Sequence, residues 1–179
     1  MKRLFAMALV LLLLAAPALA SPLKASGDFY VNDTANVLSD ETERRIVFAN
    51  DALYAAFGAQ VVFVTVDTTG SVDLSDYAYA LFNEWGVGSA ARNNGILVVM
   101  AIDDDDYWFA TGTGYERFLT NDVVGRLLYD HLEPCFAVRD YDGGANALFE
   151  ALLPRIAAYE LLTRLCESAS DALSNAASR

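Results

Sequence analysis

The chain is short of the residues that enzymes most often use as nucleophiles and bases. Its 179 residues include one histidine, His131, and two cysteines, Cys135 and Cys166. A zinc site made from several histidines therefore cannot form within one chain, and a serine triad would depend on His131 alone. Because His131 falls on the apolar face of a predicted helix, we expect it to pack in the core rather than to act in catalysis.

Motifs of phosphate chemistry are missing as well. The sequence has neither a G-x-x-x-x-G-K-[ST] phosphate loop nor a G-x-S-x-G nucleophile elbow. Cys135 and Arg139 lie too close together for a cysteine phosphatase loop. The aspartates Asp103–Asp106 are followed by Tyr107 and Trp108, which do not fit the pattern of phosphatases with an aspartyl nucleophile. We therefore interpret this acidic run as a solvated turn.

Basic residues are scarce, since 12 Lys and Arg face 24 Asp and Glu and give a net charge of −12. Such a surface repels nucleic acid and anionic lipid, and it attracts cations or basic partners. Solubility is the alternative explanation for the acidity, and acidity alone does not indicate a metal site.

Beyond the N-terminus there is no apolar run of the roughly 20 residues that a membrane span requires. The N-terminus itself combines Lys2 and Arg3, the apolar run Leu4–Ala16 and the small residues of Pro17–Ala20. This pattern is typical of a secretory signal peptide over residues 1–20, and an uncleaved anchor is the alternative. We expect a periplasmic or extracellular protein without a transmembrane anchor. Its mature part would carry a charge of −14, ten basic residues against twenty-four acidic ones.

The hydrophobic pattern predicts one α/β domain over residues 29–167, after a linker at 21–28 and before a polar tail at 168–179. The predicted elements are an extended segment Phe29–Leu38, a helix that Ser39 or Asp40 caps and that ends at Gly58, a strand Gln60–Val66, a helix from Asp73 to Gly86, a hairpin Ile96–Thr111, a helix from Thr120 to Pro134 and a last helical region Ala145–Glu167 with a kink or break at Pro154. This order favours a three-layer α/β/α sandwich with a small mixed sheet that includes one β-hairpin.

A disulfide between Cys135 and Cys166 is chemically allowed in an exported protein. A helix from Gly144 to Cys166 would be about 33 Å long, whereas a disulfide needs Cα atoms about 4.4–6.8 Å apart. Only a helix folded back at Pro154 would bring the cysteines together, and the sequence leaves this open.

Four carboxylates, those of Asp33, Glu116, Asp122 and Asp140, lie in predicted turns or at element ends. Such positions can converge at the rim of an α/β sheet, where carboxylate and amide oxygens suit Ca²⁺ or Mg²⁺. The alternative is four separate capping or solvated side chains, and spacing alone favours it.

An ordered set of short motifs resembles the TPM domain family. The motifs are Val31-Asn32-Asp33, Gly58-Ala59-Gln60, Asp76-Tyr77-Ala78, Trp85-Gly86-Val87-Gly88, Asn94-Gly95, Gly112 to Glu116, Phe118-Leu119-Thr120 and Asp140-Tyr141. The resemblance covers about Phe29 to Tyr159. It implies a three-layer fold with a cleft at one end of the sheet and an exported location. The family includes acid phosphatases, proteins that bind divalent metal, and proteins that assist the assembly or repair of membrane complexes.

The resemblance implies metal ligands at Asp33, Glu116 and Asp122. The family pattern has its aspartate directly after Leu-Thr, but in this chain Asn121 occupies that position and Asp122 follows it. Further phosphate or cleft candidates are Asn94, Gly114, Arg126, Arg139 and Asp140.

Two functions follow from these expectations. One is a non-catalytic module of the cell envelope that binds Ca²⁺ or Mg²⁺, or a protein partner, in assembly, repair or quality control. The other is a weak, metal-dependent acid phosphatase, in which the metal would polarise the phosphoryl oxygen. The missing nucleophile favours the binding module.

Overall fold

A computed structural model describes residues 23–177. The predicted signal peptide, its cleavage site and the first two residues of the predicted linker lie outside these residues. The elements are β1 (Val31–Asp33), α1 (Asp40–Phe57), β2 (Gln60–Val66), α2 (Leu74–Trp85), β3 (Gly95–Ala101), β4 (Asp106–Thr111), α3 (Asn121–Leu127), a π-helical turn (Leu128–Leu132), α4 (Glu133–Phe136) and α5 (Tyr141–Ala177).

The four strands form one sheet in the order β1-β2-β3-β4. The strands β1, β2 and β3 are parallel, and β4 runs antiparallel to β3 as the second half of the predicted hairpin. Every residue of β2 and β3 is buried, as expected for continuous apolar strands that are covered on both faces. The sequence-based prediction of an α/β fold with a small mixed sheet is confirmed.

Helices cover both faces of this sheet. The ring of Phe63 in β2 packs edge-on against Phe149 of α5, with ring centroids 6.1 Å apart. Through the strand register Phe63 shares its face with Phe109 of β4, so the adjacent Trp108 points to the other face. There Trp108 meets Tyr79 of α2 at a ring distance of 6.4 Å. The sheet is therefore the middle layer of three.

The helix ends follow the capping residues that the sequence offers. The hydroxyl of Ser39 accepts a hydrogen bond from the N–H of Thr42 at the start of α1, and Gly58 ends that helix with φ +69°. Asp73 caps α2 in the same way, and Gly86 ends it with φ +63°. These four positions have the residue types that helix termini prefer, which explains why the boundaries of α1 and α2 match the prediction.

The last helix is longer than predicted. The sequence predicted a kink or break at Pro154 and a polar tail from residue 168; α5 has no break and runs over Tyr141–Ala177. Pro154 is exposed, and the helix on its C-terminal side is anchored by the buried side chains of Ile156 and Glu160. These contacts hold the helix together across the proline.

Both cysteines are free thiols in the structure. A Cβ added at Gly144 would lie 3.3 Å from the Cβ of Cys135, so Cys135 sits beside the first turn of α5. Cys166 lies about 33 Å farther along the same helix, given a rise of about 1.5 Å per residue. The unbroken helix therefore keeps the two sulfur atoms apart.

Candidate functional site

The predicted metal ligands Asp33 and Glu116 lie at opposite ends of the parallel strands. Asp33 ends β1 and pairs with Thr65, at the carboxyl ends of the parallel strands. Glu116 follows Gly112, whose N–H donates to the carbonyl of Gly95 at the amino end of β3. Thr65 is level with Met100, five residues beyond Gly95, which corresponds to about 17 Å along the strands. The structure does not bring Asp33 and Glu116 together.

Asp33 has a local structural role. Its carboxylate accepts hydrogen bonds from the N–H groups of Val37 (3.1 Å) and Leu38 (2.8 Å) and from the hydroxyl of Thr65. Both carboxylate oxygens are thus engaged in holding the connection between β1 and α1.

Asp122 is exposed in the first turn of α3, where a carboxylate complements the helix dipole. Its neighbour Asn121 faces a groove that also contains Glu116, but Asp122 does not line that groove. Across residues 23–177, no three His, Cys, Asp or Glu side chains are placed to share one metal ion.

The groove with Asn121 and Glu116 lies at the amino ends of the strands and has a volume of about 670 Å³. We call it the amino-edge groove. Its walls are Tyr79, Phe82 and Asn83 of α2, Asn93 before β3, Thr111, Gly112 and Thr113 at the end of the hairpin, Glu116, and Leu119, Thr120 and Asn121 at the start of α3.

Two glycines allow the backbone to form the floor of the groove. A Cβ at Gly112 would lie 2.0 Å from the carbonyl oxygen of Asn93, and one at Gly114 would lie 2.1 Å from that of Arg92. The N–H of Gly114 donates to the Asn93 carbonyl at 3.1 Å. Only a residue without a side chain permits this approach, so glycine at these two positions lets the segment 112–114 lie against Arg92 and Asn93.

The polar side chains of the groove have no partners in the described part of the chain. The amides of Asn83, Asn93 and Asn121, the hydroxyls of Thr113 and Thr120 and the carboxylate of Glu116 form no hydrogen bond or ion pair there. Their donors and acceptors are therefore available to a ligand. Sequence reasoning found Glu116 and noted Asn121. It missed the α2 wall because Tyr79, Phe82 and Asn83 belong to an ordinary amphipathic helix.

A buried ionic cluster supports the groove from behind. The carboxylate of Glu160, which is 2% exposed, accepts hydrogen bonds from the amide of Asn94 (2.8 Å), the hydroxyl of Tyr115 (2.8 Å) and the guanidinium of Arg92 (3.1 Å). We call these four residues the Glu160 cluster. Burial, together with the hydrogen bond to Glu160, raises the pKa of the Tyr115 hydroxyl. Arg92 and Tyr115 adjoin the groove residues Asn93 and Glu116. The cluster therefore holds in place the two loop segments that form this part of the groove.

The other predicted cleft residues are dispersed. Asn94 belongs to the Glu160 cluster, and Gly114 packs against the backbone of Arg92 and Asn93. Asp140 caps the start of α5, where its carboxylate accepts a backbone N–H. Arg139 is exposed in a left-handed conformation with φ +64°. Arg126 lines a separate hollow beside α5. Of the predicted site residues that the structure describes, Glu116 lines the amino-edge groove, and Asn94 and Gly114 adjoin its lining residues Asn93 and Thr113.

The TPM domain model, whose name is TPM phosphatase, matches residues 31–154. The chain belongs to the TPM domain family. This match covers the whole sheet and the groove, and it confirms the resemblance seen in the sequence motifs. No protein of curated function shows significant similarity to the chain.

Three solved structures have a similar fold. The solution NMR structure of the N-terminal domain of a protein from P. gingivalis is 28% identical, with a TM-score of 0.63, over 71% of this chain and 81% of that one. The N-terminal domain of the cg2496 protein from Corynebacterium glutamicum is 20% identical, with a TM-score of 0.55, over 75% and 86% of the two chains. The BA42 protein from Bizionia argentinensis is 19% identical, with a TM-score of 0.57, over 68% and 83%.

In the described part of this TPM domain, no helix has the length and apolar character needed to cross a membrane.

Proposed function

We propose that this TPM domain protein is a non-catalytic binding module whose amino-edge groove captures an exposed segment of another polypeptide. The observation that carries the proposal is the lining of the groove: unpartnered amides and hydroxyls beside the apolar side chains of Tyr79, Phe82 and Leu119. Amides offer both donors and acceptors to a peptide backbone, and aromatic walls suit an apolar side chain. The volume of about 670 Å³ is within the range of ligand-binding clefts.

The lining is poorly equipped for bond cleavage. Among the described residues of its wall, Glu116 is the only carboxylate, and the hydroxyls of Thr113 and Thr120 form no hydrogen bond to it. Covalent or acid–base catalysis needs a nucleophile next to a base, or two groups with separate proton-transfer roles. One carboxylate supplies neither arrangement, and this favours binding over hydrolysis.

Charge defines the kind of segment that we expect. The chain carries a net charge of −12, and Glu116 is the charged group of the groove wall. An acidic protein accelerates the approach of basic partners and disfavours acidic ones. The proposed ligand is thus an extended segment with a Lys or Arg next to an apolar residue.

We place this activity outside the cytoplasm, in the periplasm or the extracellular space. The support is the signal-peptide pattern of residues 1–20. There the module would take part in the assembly, repair or quality control of envelope proteins, as expected from the family.

Binding of Ca²⁺ or Mg²⁺ is a second, weaker proposal. At the groove a cation would find one carboxylate, Glu116, with the amide oxygen of Asn121 and the hydroxyls of Thr113 and Thr120. Cation sites with few charged ligands belong to the weak class, with dissociation constants of about 10⁻⁴–10⁻³ M. The set predicted from the sequence does not fit a tight site, since Asp33 and Asp122 lie elsewhere. We therefore derive no reaction step through a metal.

The name of the family model keeps a metal-dependent acid phosphatase as the alternative function. Hydrolysis of a generic phosphomonoester by the purified protein in Ca²⁺ or Mg²⁺ distinguishes the two proposals. The binding proposal expects the wild type to show no more turnover than a Glu116→Gln variant, because no hydroxyl of the described groove wall is hydrogen-bonded to Glu116. Turnover that this substitution abolishes would favour the phosphatase.

The binding proposal is tested with a display library of random twelve-residue peptides. We expect enrichment of peptides with a basic residue beside an apolar one. Glu116→Lys and Asn121→Ala should each weaken the binding of a selected peptide by about tenfold or more, since both change the groove wall. Asp122→Ala is the matched control, one residue from Asn121 but outside the groove. Equal losses in the control, or no enriched peptide, would contradict the proposal.

A further inference from the structure

The single histidine does not lie where its sequence pattern placed it. His131 was expected to pack in the core, but it is half-buried and borders a hollow of about 240 Å³ between α3, the π-helical turn and α5. Five residues of regular α-helix would turn His131 about 140° away from Arg126. The π-helical turn Leu128–Leu132, which includes His131, is wound more loosely and makes this angle smaller. This rare geometry brings Arg126 and His131 to the same hollow.

A second guanidinium reaches the hollow from α5. This group belongs to Arg155. The hollow is lined by Val123, Arg126, Leu127, Asp130, His131 and Arg155. Within residues 23–177, Arg126 and Arg155 form no ion pair or hydrogen bond, although acidic residues outnumber basic ones twofold in the sequence. Asp130, also in the lining, lies beyond ion-pair distance of both. Two unneutralised arginines next to the only histidine make this a basic site on an acidic protein.

We infer that this hollow, the α3–α5 hollow, is a binding site for a phosphate-type oxyanion. Guanidinium groups bind phosphate oxygens through two parallel N–H donors, and an imidazole N–H supplies a further donor. Val123 and Leu127 contribute the apolar part of the lining. One carboxylate against two guanidiniums leaves a net positive charge, and Asp130 can accept a hydrogen bond from a protonated phosphate oxygen or a hydroxyl of the ligand.

The site is distinct from the amino-edge groove. The two hollows share no lining residue, although both use α3: Thr120 and Asn121 face the groove, and Arg126 lies more than one turn farther along. The inference does not depend on the proposed peptide-binding function. The same phosphate chemistry could come from a free phosphate compound or from a phospholipid headgroup, and the experiment separates these sources.

The test is a titration of the full protein with inorganic phosphate, observed by two-dimensional NMR. The ionic strength is held constant, with chloride as the compensating anion. We expect saturable shifts of the amide signals of Arg126, His131 and Arg155, with millimolar affinity. Arg126→Gln and Arg155→Gln should each reduce the affinity for phosphate at least tenfold, and His131→Gln should reduce it severalfold. Arg117→Gln is the matched control: it removes the same charge from an exposed arginine outside the hollow and should change the affinity less than twofold.

Co-sedimentation with vesicles of phosphatidylcholine containing phosphatidic acid gives the second arm. Binding of vesicles that is lost in Arg155→Gln would assign the site to a headgroup, whereas phosphate binding without vesicle binding would assign it to a free phosphate compound. The inference would be overturned if the shifts grew linearly with phosphate, or if Arg117→Gln weakened binding as much as Arg126→Gln did. Circular dichroism of each variant verifies that the fold is retained.

Discussion

At the residue scale, the groove depends on a few side chains whose identity is fixed by space or by buried hydrogen bonds. Gly112 and Gly114 lie against carbonyl oxygens that leave no room for a Cβ. Glu160 has its two oxygens committed to three donors. These positions differ from Glu116 and Asn121, whose side chains have no such commitments in the described structure. Stability and binding should accordingly respond to different residues.

Gly114→Ala should destabilise the fold. The new Cβ would lie 2.1 Å from the carbonyl oxygen of Arg92, so one of the two backbone segments must move. We expect a loss of about 1–3 kcal/mol in the free energy of unfolding, measured by urea denaturation. Gly125→Ala is the control, because nothing lies within 4 Å of its added Cβ and it belongs to α3. It should be neutral or stabilising by about 0.5–1 kcal/mol. Similar losses in both variants would contradict the packing argument.

Alkaline pH should destabilise the protein through its buried tyrosines. Burial and hydrogen bonds to Glu160 and Glu133 raise the pKa values of Tyr115 and Tyr107, respectively. A pKa raised by folding gives stability that is complete below the unfolded value near 10 and is lost as the pH rises above it. The free energy of unfolding should therefore fall above about pH 10, by up to about 1.4 kcal/mol per pH unit for the buried Tyr115 and by less for the half-buried Tyr107.

Tyr115→Phe isolates one of these tyrosines. At neutral pH it should cost about 1 kcal/mol, because one hydrogen bond to Glu160 is lost. Above pH 10 its stability should decline less steeply than that of the wild type, as seen in urea denaturation at several pH values. An unchanged slope would mean that Tyr115 does not stay protonated in the folded state.

At the scale of elements, capping and periodicity predicted α1, α2, β2 and the hairpin, because each is determined by local residues. Gly58 and Gly86 stop the helices, and the apolar runs of β2 and β3 are covered on both faces. The continuation of α5 through Pro154 was not predictable in this way, because long-range contacts of Glu160 hold the helix beyond the proline. A glutamate four residues after Ile156 on an apolar stripe was the local sign of a buried acceptor.

Glu160→Ala should detach α5 from the groove loops. The hydroxyl of Tyr115 and the amide of Asn94 would lose a buried acceptor, and Arg92 would lose one of its two carboxylate partners. We expect a loss of about 2–3 kcal/mol in the free energy of unfolding. Glu167→Ala removes the other, more exposed carboxylate partner of Arg92 and should cost less than about 1 kcal/mol. If the two variants were equally stable, the Glu160 cluster would not be the anchor.

At the scale of the whole molecule, the sheet decides which residues can form a site. The sequence predicted three carboxylate ligands in one cleft. It could not show that Asp33 lies at the carboxyl ends of the parallel strands, whereas Glu116 lies near their amino ends. Strand order and direction depend on pairing between distant segments, so they leave no mark in the spacing of acidic residues. The same limit applies to the π-helical turn that moves His131 into the α3–α5 hollow.

The most direct test of the account is an NMR titration of the protein with a peptide selected from the display library. The account predicts saturable amide shifts at Asn83, Thr113, Glu116 and Asn121, which line the amino-edge groove. Residues of the opposite edge, such as Thr34 and Thr68, should not shift. Shifts centred on the Asp33 edge, or shifts that never saturate, would contradict the claim that the groove is the binding site of this TPM domain.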